Sequence, residues 1–223
     1  MDLVIFDCDG VLVDSEPIAC EVVAQVMTEA GFHVSLSEFF TRFAGVSDRE
    51  MYAQLETQYR STIGEALRQR VNDEILAALG DRLEPIPGIT SVLQAIDLPM
   101  CVASGSDRRR VETSLAKTGL LPHFDSRIFT SHEVPRGKPA PDLFLHAAGR
   151  MRAEPSRCVV IEDSEAGVRA AVAAGMPVLG FVGGSHCSAE RADVLRSLGA
   201  RIVFDRMAEL PRHLDDCRQS MTR

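Results

Sequence analysis

No stretch of this 223-residue chain approaches about 18 consecutive apolar residues, so no segment is expected to span a bilayer as a helix. The first residues carry no basic region ahead of their short apolar stretch, and Asp7 and Asp9 interrupt that stretch early, so no secretory signal is expected. Positive charge is in deficit. The 24 Lys and Arg face 32 Asp and Glu, a net charge of −8, which speaks against non-specific binding to nucleic acid or to an anionic membrane. One small basic pocket for an anionic metabolite remains compatible with that balance. Disulfide signatures are missing too: Cys8, Cys20, Cys101, Cys158, Cys187 and Cys217 form no CxxC pair and lie far apart. Three of them sit in or beside apolar runs, where a thiol packs as a small hydrophobe, and a reducing cytoplasm is the expected setting. There is no internal repeat and no low-complexity tract.

What is present is an ordinary globular composition, 45% apolar and 25% charged, long enough for one large domain or one domain with an insertion. Short apolar runs at 3–6, 100–103, 127–130, 158–161, 178–181 and 201–204 alternate with segments of helical period at 89–96, 108–118, 141–151, 166–174 and 189–198. That alternation predicts a doubly wound, Rossmann-like α/β core around a parallel sheet. From about Ser15 to Leu83 the alternation stops. Val22, Val23, Val26 and Met27, then Met51, Leu55 and Tyr59, recur at helical spacings with no convincing strand between them. So long a span is not a connection. It predicts an all-helical subdomain, 15–83, inserted into a core made of 1–14 and 84–223.

Ligands of open α/β sheets gather at the carboxyl ends of the strands. The residues expected there are Asp7 and Asp9 after the first strand, Ser104-Gly105-Ser106 after the second, Gly137-Lys138-Pro139 before the 141–151 helix, and Glu162-Asp163-Ser164 after the 158–161 strand. Carboxylates at a buried strand tip need compensation, and this set suits phosphoryl transfer with Mg²⁺, which prefers a few hard oxygen ligands. A cation would relieve repulsion among Asp7, Asp9 and Asp163, while Lys138, the Ser104 hydroxyl and the amides after it can neutralise phosphoryl oxygens. One of the paired acids can attack phosphorus while the other moves the leaving-group proton. Strand alternation sends Cys8 away from Asp7 and Asp9, as a core filler.

Four motifs in order carry a resemblance over nearly the whole chain: Asp7-x-Asp9-Gly10-Val11-Leu12-x-Asp14-Ser15; Ser104; Gly137-Lys138-Pro139-x-Pro141-Asp142; and Ile161-Glu162-Asp163-Ser164-x-x-Gly167-x-x-Ala170-x-x-x-Ala174-Gly175. The sequence resembles the haloacid dehalogenase superfamily, in its phosphatase branch with a helical cap after the first strand. The resemblance implies that Asp7 becomes an aspartyl-phosphate and that Asp9 is the general acid/base. It implies Mg²⁺ on the Asp7 carboxylate, the Asp9 backbone carbonyl and Asp163, with Glu162 supporting the ion directly or through water. Ser104, Gly105 and Lys138 fall at its phosphate-binding positions.

Within that family the overall look is similar to 6-phosphogluconate and related sugar-phosphate phosphatases. The resemblance to β-phosphoglucomutases is weaker. Ala19 stands where those carry a hinge histidine, Ala44 where they carry lysine, and Arg49 is one place off their arginine, which favours hydrolysis. Arg42, Gly45 and Arg49 are the cap candidates for meeting a substrate tail, and a closing cap implies a small phosphorylated metabolite. Phosphoglycolate remains an alternative. A monomer or weak homodimer is expected. Asp14 is read as a hinge residue, Asp142 as a helix-start residue and Arg108-Arg109-Arg110 as a solvated helix face; none of the six histidines receives a role.

Other phosphate chemistries fit worse. A cysteine phosphatase needs arginine six residues after its nucleophile; Cys8 and Cys101 fail that test, and Cys217 meets it only with Arg223 at the chain end, without a glycine between. No P-loop is present, because Lys138 runs into Pro139 and no Lys-Ser/Thr follows Gly183-Gly184. A phospho-receiver would be about half this length, with adjacent acids on its first strand.

Overall fold

Leu-Val-Ile-Phe, branched and aromatic with no polar break, is a segment that can be buried on both faces, and it forms the central strand β1 (Leu3–Phe6). The structure, a computed structural model, describes residues 1–43, 46, 48–188 and 190–221; the side chains of 40, 41, 48 and 49 are also outside that description. After β1 come four helices, α1 (Glu16–Glu29), α2 (Leu36–Phe43), α3 (Asp48–Tyr59) and α4 (Glu65–Arg82). The chain then alternates: α5 (Ile89–Ala95), β2 (Met100–Ser104), α6 (Arg108–Lys117), β3 (Ile128–Thr130), α7 (Asp142–Arg150), β4 (Cys158–Glu162) and α8 (Glu165–Ala173). It closes with β5 (Val178–Phe181), α9 (Arg191–Ser197), β6 (Ile202–Phe204) and α10 (Leu210–Ser220).

The six strands form one parallel sheet in the order β3-β2-β1-β4-β5-β6, the doubly wound arrangement expected from the sequence. Side chains alternate across it. Val4 and Phe6 join the larger core, with Val92 and Leu93 of α5, Val111 and Leu115 of α6 and Leu210 and Leu214 of α10. Leu3 and Ile5 face the opposite core, with Phe144 and Ala147 of α7, Val168 and Ala171 of α8 and Leu195 of α9. Strand ends agree with the sequence reading to within one residue. That reading assigns no helix after 204, yet Leu210, Leu214 and Cys217 are buried along α10 at spacings of four and three.

The 16–82 span is helical wherever it is regular, with Val26, Met27, Leu55, Ile63 and Leu79 almost fully buried. Helix α1 packs along α4, and α4 rests on α6. The two ends of the span are tied together at the sheet. Val13 bridges Pro85, the Asp14 N–H donates to the Glu84 carbonyl at 3.1 Å, and the Ile86 N–H donates to the Leu12 carbonyl at 3.0 Å. Asp14 thus sits at the junction, as expected of a hinge residue, and its Oδ1 also accepts from the Ser185 N–H at 3.1 Å.

Candidate active site

The order of the sheet reverses between β1 and β4, so the loops after these two strands diverge and leave a crevice. Phe6 is in register with Ile161, and the Asp7 N–H donates to the Ile161 carbonyl at 3.0 Å. The register therefore sets Asp7 beside Glu162 at the edge of that crevice. Asp7, Glu162 and Asp163 each place a carboxylate oxygen within 4.8 Å of the others, and all three are buried. Gly10 makes this approach possible. Its φ is +78°, and a Cβ there would come within 2.1 Å of Asp163 Oδ2.

Lys138 reaches the cluster from the loop after β3 and donates to Asp7 Oδ1 at 2.6 Å and to Glu162 Oε2 at 2.7 Å. That loop is braced by Arg136, which grips the Asp142 carboxylate with two nitrogens at 3.1 and 3.0 Å at the start of α7. Glu162 is fully buried, and its other oxygen accepts from the Asp163 and Ser164 N–H groups and from Ser164 Oγ at 3.2, 3.1 and 2.8 Å. Both of its oxygens are occupied by donors, so in this arrangement Glu162 orients Lys138 and the turn after β4. Burial, followed by the charge of Glu162, holds the Asp7 carboxyl well above its ordinary pKa despite Lys138. Burial likewise raises Glu162. Burial works against the Lys138 ammonium, yet Asp7 and Glu162 outweigh it and raise the lysine pKa.

Asp9 has a different environment. Its Oδ1 accepts from Ser15 Oγ at 2.5 Å, its Oδ2 accepts from Ser106 Oγ at 2.7 Å, and Arg110 lies 3.8 Å from Oδ1. Burial alone would raise its pKa; Arg110 and the two hydroxyls more than offset that, and Asp9 stays below the ordinary value. Two carboxyls two residues apart are thus driven in opposite directions by their surroundings. Ser104 is buried at the end of β2, and its hydroxyl oxygen accepts from the Ser106 N–H at 3.0 Å, which leaves its own proton available to a ligand. The Gly105 carbonyl accepts from Ser131 Oγ at 2.7 Å, fixing the turn. Cys8 is fully buried in the larger core, where burial pushes its thiol pKa up, in keeping with its reading as a filler.

The structure thus brings Asp7, Asp9, Ser104, Lys138, Glu162 and Asp163 to one edge of the sheet. The cap candidates are placed otherwise. Arg42 donates to Glu38 at 2.5 Å and to Gln58 at 2.8 Å and lies over the Phe43 ring, all within the helical span. Gly45, the Arg49 side chain, Ala44 and Arg223 lie outside the described residues. The Arg108–Arg110 run needs correction: Arg109 is exposed as expected, but Arg110 turns inward to Asp9, with 14% of its side chain accessible. Its α6 begins with Asp107 capping the Arg110 N–H at 2.9 Å; in that first turn Arg108 and Arg109 stay exposed, and of the three it is Arg110 that turns to Asp9. Ser15, Ser106 and His186 also belong to the site and receive no role from the sequence. The His186 ring is 2% accessible and its Nε2 lies 2.9 Å from Asp163 Oδ2. Burial disfavours its charged form, but the bond to Asp163 prevails and lifts its pKa to about 10.

The three clustered carboxylates face the Lys138 ammonium, with the His186 ring on the outer side of Asp163, and a bound cation would relieve the repulsion that remains among them. The donors are all oxygen, the choice of a hard ion such as Mg²⁺. The residues present therefore fit that ion.

A haloacid dehalogenase-like hydrolase family model matches residues 1–175. The chain is 34% identical over 187 residues to a 6-phosphogluconate phosphatase of Escherichia coli (strain K12), covering 83% of this chain and 85% of that protein. The structure superimposes on a conserved haloacid dehalogenase-like protein of Agrobacterium tumefaciens str. C58 with a TM-score of 0.86 and 38% identity, over 98% of this chain and 99% of that one. It also superimposes on a putative β-phosphoglucomutase of Thermotoga maritima, with a TM-score of 0.78 and 28% identity over 97% and 99% of the two chains.

Proposed function

The chain belongs to the haloacid dehalogenase-like hydrolase family, and from that premise we propose that it hydrolyses small sugar phosphates, 6-phosphogluconate among them, through an aspartyl-phosphate on Asp7. As a family member with relatives named as phosphatases, it is a phosphoric monoester hydrolase. The observation that carries the finer reading is the pairing of Lys138 with both Asp7 and Glu162, beside an Asp9 that accepts from Ser15 and Ser106 and lies 3.8 Å from Arg110.

In the first step an Asp7 oxygen attacks phosphorus, the phosphorus–ester oxygen bond breaks, and the departing oxygen takes a proton from Asp9. Asp9 takes up that proton from solvent as the phosphate dianion arrives beside it, because the added negative charge raises its proton affinity. In the second step Asp9 takes a proton from water, the water oxygen attacks phosphorus, and the bond to Asp7 breaks to release inorganic phosphate. Lys138, the Ser104 hydroxyl and the amides after it, Gly105 included, neutralise the phosphoryl oxygens. Mg²⁺, held by Asp7, the Asp9 backbone carbonyl and Asp163 with Glu162 alongside, would add positive charge where the phosphoryl oxygens lie. The helices of 15–83 act as a cap over this edge of the core formed by 1–14 and 84–223, which suits a small phosphorylated metabolite in the cytoplasm and a monomer or weak dimer. Among the described residues no helix is long and apolar enough to cross a membrane.

The test is phosphate release from a panel containing 6-phosphogluconate, other sugar phosphates and phosphoglycolate. Turnover of a sugar phosphate with Mg²⁺, lost in Asp7→Asn and on adding EDTA, is the expected result. Full activity of Asp7→Asn would sink the mechanism. Interconversion of β-glucose 1-phosphate and glucose 6-phosphate without net phosphate release would make the enzyme a mutase instead, despite the alanine at position 19.

A further inference from the structure

The loop after β5 brings a second donor set against the acidic cluster, and its chemistry is different. Asp163, His186 and Cys187 each offer one ligand atom within 4.8 Å of the others. The His186 Nε2 lies 2.9 Å from Asp163 Oδ2 and 3.5 Å from Cys187 Sγ. Tetrahedral zinc, with its usual bond lengths, sets a nitrogen and an oxygen about 3.3 Å apart and a nitrogen and a sulfur about 3.6 Å apart. The nitrogen–sulfur spacing is already there, and the nitrogen–oxygen pair needs to open by about 0.4 Å. The imidazole is also held in place. A Cβ on Gly10 or on Gly184 would come within 2.8 or 2.9 Å of His186 Cε1, so the ring fills the space that two glycines leave. The loop is anchored by the Ser185 N–H on Asp14 and by the Cys187 N–H on the Gly184 carbonyl at 3.0 Å. Among the six cysteines Cys187 alone is half-buried; the other five are buried.

We propose that Asp163, His186 and Cys187 form a second metal site, selective for Zn²⁺ or an ion of similar softness, that excludes Mg²⁺ through the shared Asp163. Imidazole and thiolate favour such ions over Mg²⁺, which takes oxygen donors. With three protein ligands the fourth position is left to water. Asp163 is common to both groups, and its Oδ2 is the oxygen that faces His186; an ion bound there draws that oxygen away from the acidic cluster and adds positive charge beside the Mg²⁺ position, so occupancy of the soft site switches off the Mg²⁺-dependent reaction.

Binding is read with Co²⁺ on the full-length, metal-stripped protein, independently of any substrate. One equivalent is expected to give visible ligand-field bands of a four-coordinate ion together with a near-ultraviolet thiolate charge-transfer band. Cys187→Ser, close to isosteric, should lose the charge-transfer band, and His186→Gln should weaken the visible bands at least tenfold at equal Co²⁺. In phosphate-release assays with saturating Mg²⁺, Zn²⁺ should inhibit the parent and require at least tenfold more to inhibit Cys187→Ser. A charge-transfer band unchanged in Cys187→Ser, no such band in the parent, or equal Zn²⁺ inhibition of parent and variant would each overturn the proposal. The Co²⁺ spectra stand whichever phosphate ester the enzyme hydrolyses, so failure here is distinct from failure of the substrate assignment.

Discussion

Gly167 lies in the second residue pair of α8, away from any reacting atom, yet a single methyl there should disable the site. A Cβ at this position would fall 1.9 Å from Glu162 Cδ and 2.0 Å from Oε2, so the carboxylate must leave its place by more than about an ångström. Glu162 is fully buried, with Lys138 on one oxygen and three donors from Asp163 and Ser164 on the other. Disrupting a buried, hydrogen-bonded ion pair costs about 3–5 kcal/mol, because its partners are left unpaired. For a chain of this size, about 3 kcal/mol corresponds to a fall in melting temperature of about 6–12 °C. Lys138 would lose one of the two carboxylates that position it, and phosphate release should fall at least tenfold. Gly80→Ala is the matched control. Gly80 is exposed near the end of α4, and the nearest atom to its Cβ is Thr113 Cγ2 at 4.0 Å. There alanine should stabilise by about 0.5–1 kcal/mol through helix propensity alone. Thermal unfolding by circular dichroism and phosphate release, measured on both variants, decide the matter. A Gly167→Ala protein melting within about 2 °C of the parent and turning over at the parental rate would refute the reasoning.

Metal-free stability should depend on pH through Asp7 and Glu162, whose folded pKa values are raised by burial. Raised acids contribute stability that is present below their unfolded pKa values and lost as pH rises through the folded ones. Mg²⁺ should therefore raise the melting temperature more at about pH 8 than at about pH 5.5; an equal shift at both would contradict the assignment. Arg110→Gln removes the charge that, after the opposing effect of burial, does most to lower Asp9. Asp9 gives up its proton in the first step, so kcat/KM falls as pH rises through its pKa; that basic limb should move to higher pH, and an unmoved limb would show that Asp9 does not set it.

The fold was legible because its signals are local. Branched apolar runs of three to five residues mark the strands, helical spacing marks 16–82 as something other than a connection, and four short motifs each end a strand or open a helix. Helix α10 carries the same kind of local signal, in Leu210, Leu214 and Cys217 at spacings of four and three.

The roles that escaped the sequence all depend on partners distant along the chain. Arg110 looks like one more cation in a solvated run until α6 is set beside β1, which turns it onto a carboxylate 101 positions earlier, 3.8 Å away. Ser106 donates across 97 positions to the same Asp9, and His186 reaches Asp163 from the loop after β5. By itself the sequence determined the sheet, the inserted helices and the acids at the strand tips, because hydrophobic period and turn residues act over a few positions. Only the tertiary structure decided how those acids differ: register and burial place Asp7 with Lys138 and Glu162, Asp9 with Arg110 and two serines, and Asp163 with His186. Electrostatic character follows from which charges and dipoles lie within a few ångströms, and here those neighbours come from loops and a helix far apart along the chain.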